Sequence, residues 1–181
     1  PGPLRALLPR RWRRAEPRVA VLRLSGAIGA VSPFRAGLSI GSLASSLDRA
    51  FATPGIAAVA LVINSPGGAP AQSHLIHQRI RALAAEKKLP VLAFVEDVAA
   101  SGGYFVAMPA DEIVAQPTTL TGSIGVYGGK INLHDTLGLV GVNIEPVSVG
   151  GEFATAYSGQ TDWTEAQRAE VCALARSLSD D

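Results

Sequence analysis

The sequence predicts an α/β fold of stacked βα units, and three observations carry that prediction. Short apolar runs bounded by glycine and proline alternate with stretches of helical period, the pattern of strands connected by crossover helices rather than of a β-meander. At 181 residues, 48% hydrophobic and 17% charged, the chain can bury a core, and wholesale disorder is excluded. Two of the apolar runs end abruptly in paired glycines, which is where open α/β sheets collect their chemistry.

The elements follow in order. "RVAVLRLSG" (18–26) reads as a strand, and "SIGSLASSLDRAFAT" (39–53) as an amphipathic helix with Ile40, Leu43, Leu47 and Phe51 on one stripe. "IAAVALVINSPGG" (56–68) is a buried strand. The long helix "AQSHLIHQRIRALAAEKK" (71–88) is expected to turn Leu75, Ile76, Ile80 and Leu83 inward and to stop at Lys87, Lys88 and Pro90. "VLAFVED" (91–97) is the next strand. A short helix from Ser101, a strand at 111–116, a glycine-rich loop, a helix near 132–139 and a strand near 142–148 come next. "TEAQRAEVCALARSL" (164–178) closes the chain as a helix with a threonine cap. No internal repeat is present; residues 18–181 read as one domain behind a basic arm, 1–17.

The formal charge of +1 conceals an asymmetry. Residues 1–18 hold six arginines (Arg5, Arg10, Arg11, Arg13, Arg14, Arg18) against Glu16. Such an arm suits either a solvated terminus or a juxtamembrane segment drawn to anionic lipid, with Trp12 at the headgroups. No apolar run reaches the roughly 18 residues a spanning helix needs. The single cysteine, Cys172, excludes an internal disulfide framework and falls in a helical apolar pattern, so it reads as a packing residue. No metal or cofactor is expected. The absence of an initial methionine suggests an excised fragment.

"NSPGGAP" (64–70) can turn backbone N–H groups toward an anion. "AASGG" (99–103) puts Ser101 at a helix start, where its hydroxyl is exposed and the helix dipole favours developing negative charge. Together, Gly67, Gly68 and Ser101 offer a nucleophile and an oxyanion hole. Neither turn fits a P-loop, a G-x-G-x-x-G fingerprint or a G-x-S-x-G elbow.

A serine hydroxyl needs a base. His74 and His77 read as solvent-facing residues of the long helix, and His134 beside Asp135 as a helix-start residue. A neutral lysine is the alternative. Lys87 and Lys88 end a helix, and Lys130, in "YGGKINL", reads as an exposed loop position.

"INSPGG", "DVAASGGYFVA" and "TLTGSIGVYGGKINL", in this order, resemble the signal peptide peptidase A (protease IV) and SohB-like family of serine/lysine peptidases, over about residues 18–178. The resemblance implies a crotonase/Clp protease-like fold of stacked ββα units, Ser101 as nucleophile, backbone amides of Gly67 and Gly102 as oxyanion donors beside Gly68 of the same turn, and Ser123 in "TGSIG" as a residue that positions the base. One departure stands out. Where single-domain members carry the general-base lysine, this chain has Phe153 and then Ala154, and no lysine follows Lys130. The chain thus resembles the halves of tandem members that contribute the serine while another half supplies the lysine.

The expected activity is endopeptidase cleavage of short apolar peptides, such as cleaved signal peptides, by a ring-forming homo-oligomer at the bacterial inner membrane, with no nucleic-acid partner. The resemblance also implies a further helical segment, so a C-terminally truncated chain is expected. Three alternatives stand beside it: an inactive scaffold or peptide-binding member, a crotonase-like acyl-CoA enzyme using Glu96 or Asp97, and a Clp-type peptidase. The last lacks a histidine in "TLTGSIGVYG", where its triad would need one.

Overall fold

The run from Ile56 to Ser65 is apolar on both faces, and it forms the second strand of a parallel sheet. The structure, a computed structural model, describes residues 17–32, 35–126, 128–145 and 147–180. The arginines at positions 5–14, Trp12 and Glu16 lie outside the described residues. The chain groups into two compact units, one ending at Ile124 and the other beginning at Gly125.

The first unit carries the sheet. β1 (Arg18–Ser25), a small antiparallel pair β2 (Ala30–Ser32) and β3 (Arg35–Ala36), α1 (Ile40–Ala52), β4 (Ile56–Ser65), α2 (Pro70–Lys87), β5 (Val91–Ala100), α3 (Gly102–Ala107), β6 (Glu112–Val114) and β7 (Leu120–Gly122) follow in order. The sheet runs β1-β4-β5-β6, and β7 pairs with the far end of β5. Every pairing in it is parallel. The α/β class read from the sequence is what the chain has, and the β4–α2–β5 crossover is its central unit.

Local chemistry explains the helix ends. Ser39 and Ser42 form a capping box, each hydroxyl accepting from the other's backbone N–H, at 3.2 and 3.1 Å. Proline opens α2, where its missing N–H costs nothing, and Lys88 closes it in the left-handed conformation at φ 52°.

Leu43, Leu47 and Phe51 of α1 and Ile76, Ile80 and Leu83 of α2 bury against Val59, Leu61 and Ile63 of β4 and Val91, Ala93 and Val95 of β5. Leu75 departs from the expectation and is exposed. The buried face of α2 runs through Ser73, Ile76, Ile80 and Leu83, and residue 75 sits about 100° around the helix from Ile76.

The second unit contains α4 (His134–Leu139), a 3-10 turn at Glu152–Thr155 and α5 (Glu165–Asp180). Thr164 caps α5 as expected: its hydroxyl accepts from Gln167 N–H, and Gln167 Oε1 accepts from Thr164 N–H, both at 3.2 Å. The strand expected near 142–148 does not form among the described residues, which hold no regular element there. Cys172 is exposed, not packed. His134 does begin a helix, its N–H donating to Asn132 Oδ1.

Candidate functional site

β4 and β5 end side by side, and each passes at once into a glycine turn. After Ser65 the chain runs Pro66, Gly67, Gly68 and Ala69 into α2; after Ala100 it runs Ser101, Gly102 and Gly103 into α3. Gly67 adopts φ +94° and Gly68 φ +147°, conformations that side chains resist. The two turns touch. A Cβ placed on Gly67 would lie 2.8 Å from Gly102 N and 2.9 Å from Ser101 Cβ, so only glycine lets the strands' ends approach this closely. A Cβ on Gly102 would collide with Ser73 Oγ, and one on Gly103 with the Ser65 carbonyl.

Ser101 holds φ 52° and ψ −126°, a region that non-glycine residues rarely occupy. Neighbours impose this conformation: its N–H donates to the Gly122 carbonyl at 2.8 Å, and its carbonyl accepts from Phe105 N–H at 3.1 Å. The result is a sharp strand-to-helix turn. The Ser101 hydroxyl does not cap α3, and no hydrogen bond engages it among the described residues. Ser101 itself is partly exposed.

The fate of each amide decides what the site can do. Pro66 has none. Gly67 N–H donates to Ser65 Oγ at 3.2 Å, so this amide, expected in the oxyanion hole, is engaged inside its own turn. Ala69 N–H donates to the Ile28 carbonyl at 2.9 Å, and Gly67 O accepts from Ile28 N–H at 2.8 Å. That leaves Gly68 N–H without an acceptor among the described residues. Gly102 N–H, in the first turn of α3, is likewise uncommitted, as first-turn amides are. A Cβ on Gly102 would sit 3.4 Å from Gly68 N, so the two uncommitted amides are carried by residues in close approach.

Ser123 lies next to Ser101 by register. Ala100 of β5 pairs with Gly122 of β7, so the two serines leave adjacent parallel strands together, both at positive φ. Ser123 is exposed.

The other candidates are occupied elsewhere. Glu96 makes a bidentate ion pair with Arg23 at 2.5 and 2.6 Å, and Asp97 accepts from Asn64 Nδ2 at 2.8 Å. His74 and His77 are half-buried against Phe105 instead of facing solvent, with ring centroids 6.0 and 4.8 Å away, and a His77 ring nitrogen contacts the Phe105 carbonyl. Lys87 pairs with Glu86 at 2.7 Å. In the second unit the ammonium of Lys130 is buried 5.6 Å from the centre of the Trp163 ring, with no hydrogen-bond partner among the described residues; an exposed loop position was expected. Ser65, 1% exposed, and Ser73, 2% exposed, are buried polar residues of the site that the sequence reading passed over. A serine two residues before a left-handed glycine was the available signal.

A serine hydroxyl at the end of a parallel strand, beside free amides, is an arrangement suited to acyl transfer by a serine hydrolase. The chain belongs to peptidase family S49, whose family model matches residues 83–179. It is 39% identical over 132 residues to Protease 4 of Salmonella typhi, covering 72% of this chain and 21% of that one. It is 48% identical over 157 residues to a protein of Brucella melitensis biotype 1 named Na(+)/H(+) antiporter NhaA, covering 86% of this chain and 21% of that protein. Over 88 residues, 49% of this chain and 13% of the relative, it is 48% identical to Serine protease SPPA, chloroplastic, of Arabidopsis thaliana. The chain therefore spans about a fifth of the length of the first two relatives. Family membership agrees with the Clp/crotonase-like assignment drawn from the motifs, and with the serine peptidase class. Among the described residues, no helix is long and apolar enough to cross a membrane.

Proposed function

We propose that this chain carries the nucleophile of a serine endopeptidase that cleaves short apolar peptides, such as released signal peptides. The observation that supports this most is the strained, unbonded Ser101 beside the free amides of Gly68 and Gly102. The hydroxyl attacks the scissile carbonyl, and the carbonyl oxygen takes up negative charge as the tetrahedral adduct forms. Gly68 and Gly102 N–H groups donate to that oxygen, while Gly67 N–H, expected in the same role, is engaged by Ser65 Oγ. The proton taken from Ser101 passes to the departing nitrogen, and expulsion of the amine leaves an acyl group on Ser101, which water then hydrolyses to release the acid. Ser123 orients the group that accepts the serine proton.

That proton acceptor is a lysine brought by another subunit. The sequence motivates this choice: no lysine follows Lys130, and Phe153 and Ala154 stand where the resemblance expects the base. The basic residues 1–17 attract the protein to an anionic bacterial inner membrane, and ring assembly with a lysine-bearing subunit supplies the base. The same missing lysine favours a second reading, a peptide-binding scaffold without turnover.

A fluorophosphonate or peptide-boronate probe tests the first reading. Covalent modification confined to Ser101 and abolished by Ser101→Ala is expected. Modification that persists in Ser101→Ala refutes it, and an ordered oligomer without peptidase activity under any partner condition favours the scaffold.

A further inference from the structure

The turn after β4 contains a selection device. Four residues, Pro66 to Ala69, offer three amides, and a useful oxyanion donor must be free, rigid and aimed at the serine. Ala69 N–H is fixed by Ile28, leaving two glycine amides on adjacent, flexible residues. Nothing intrinsic to glycine chooses between them. Ser65 removes one of them: its Oγ accepts the Gly67 N–H at 3.2 Å across a two-residue turn, and Ile28 N–H, bonded to Gly67 O at 2.8 Å, holds the peptide that carries the other.

We propose that Ser65 is a positioning residue for the oxyanion hole: by taking the Gly67 N–H, its buried hydroxyl fixes the Pro66–Gly67 peptide and keeps that amide out of the hole, while the Ile28 N–H bond to Gly67 O holds the adjoining Gly67–Gly68 peptide whose N–H stays free. This rests on the reading of Ser101 as nucleophile given above. Three further observations converge on it. Ser65 is 1% exposed, so bulk water does not reach its hydroxyl. Its backbone is held in register with Ala99 of β5, two residues before Ser101, which ties the selecting residue to the nucleophile's own strand. Its carbonyl lies against Gly103, so the same residue sets the spacing between β4 and the first turn of α3. Gly67 O is anchored separately by Ile28 N–H, and the Gly67 residue is thereby gripped at both its N–H and its carbonyl.

The test compares wild type with Ser65→Ala in the intact chain. Removing the hydroxyl leaves a buried Gly67 N–H without its acceptor, and the turn relaxes toward whatever satisfies it. Small misplacements of a reacting group cost about a hundredfold in rate. The rate of Ser101 labelling, and kcat where peptide turnover is measured, are therefore expected to fall about tenfold to a hundredfold, with KM little changed. Affinity for a tetrahedral peptide boronate falls in parallel, while affinity for an unreactive peptide does not. Amide hydrogen exchange gives a readout independent of activity: Gly67 N–H is expected to be protected in wild type and to lose that protection in Ser65→Ala. Equal labelling rates in the two proteins, or a Gly67 amide that stays protected without the hydroxyl, overturns the inference. Failure of the underlying reading looks different, because wild type itself then shows no labelling at Ser101, while the exchange experiment still decides the role of Ser65.

Discussion

Ser101 sits at φ 52° and ψ −126°, and that conformation has a measurable energetic consequence. A residue with a Cβ in this sparsely populated region costs about 1–3 kcal/mol. Glycine enters it freely but loses about 0.5–1 kcal/mol through the greater entropy of its unfolded chain. The net gain on replacing the side chain with hydrogen is roughly 1 kcal/mol. Ser101→Ala is the right reference, because it removes the same unbonded hydroxyl and keeps the strain. At this chain length about 1 kcal/mol shifts the melting midpoint by about 2–4 °C. Ser101→Gly should therefore melt about 2–4 °C above Ser101→Ala in parallel thermal unfolding followed by circular dichroism, with urea midpoints in the same order. Both variants should be inactive. If Ser101→Gly melts at or below Ser101→Ala, the serine is not strained, and the view that the turn sacrifices stability to present the hydroxyl fails.

Other expectations follow from the same geometry. Gly67→Ala places a Cβ 2.6 Å from the Ala100 carbonyl at a φ of +94°, so it should lose about 2–4 kcal/mol in urea unfolding and abolish Ser101 labelling; wild-type behaviour would mean the turns do not touch. Ile76→Ala removes a fully buried side chain from the α2 face and should cost about 2–5 kcal/mol, whereas Leu75→Ala should stay within about 0.5 kcal/mol. Cys172, exposed on α5, should react with a thiol reagent in the native protein about as fast as in the unfolded chain, and strong protection would restore the packing role read from the sequence.

Much of the first unit was legible because each signal there had one physical meaning. An apolar run followed by Asn-Ser-Pro-Gly-Gly had to be a buried strand with an abrupt exit, and Ser39 before an apolar stripe had to start a helix. The convergence of Ser101, Gly67 and Gly102 was legible for a related reason, since paired glycines at successive strand ends mark close backbone approach. What pattern could not assign was direction. Leu75 and Ile76 are both apolar, and only the sheet beneath α2 decides which of them turns inward. Whether Gly67 or Gly68 spends its N–H locally depends on a hydroxyl two residues away, which composition does not reveal. The segment at 142–148 contains β-branched residues, but β propensity expresses packing against neighbouring strands, and among the described residues no strand of the second unit lies there to pair with it. The burial of the Lys130 ammonium beside Trp163 joins residues 33 positions apart, beyond any local pattern.

The central claim is that Gly68 and Gly102, with Ser101, form one oxyanion site. A crystal structure of the protein with a peptide boronate bonded to Ser101 tests it most directly. The account predicts one boronate oxygen within about 2.7–3.1 Å of both Gly68 N and Gly102 N, with Gly67 N still bonded to Ser65 Oγ. An adduct whose oxygens turn away from both glycine amides, or accept from Gly67 instead, would contradict it.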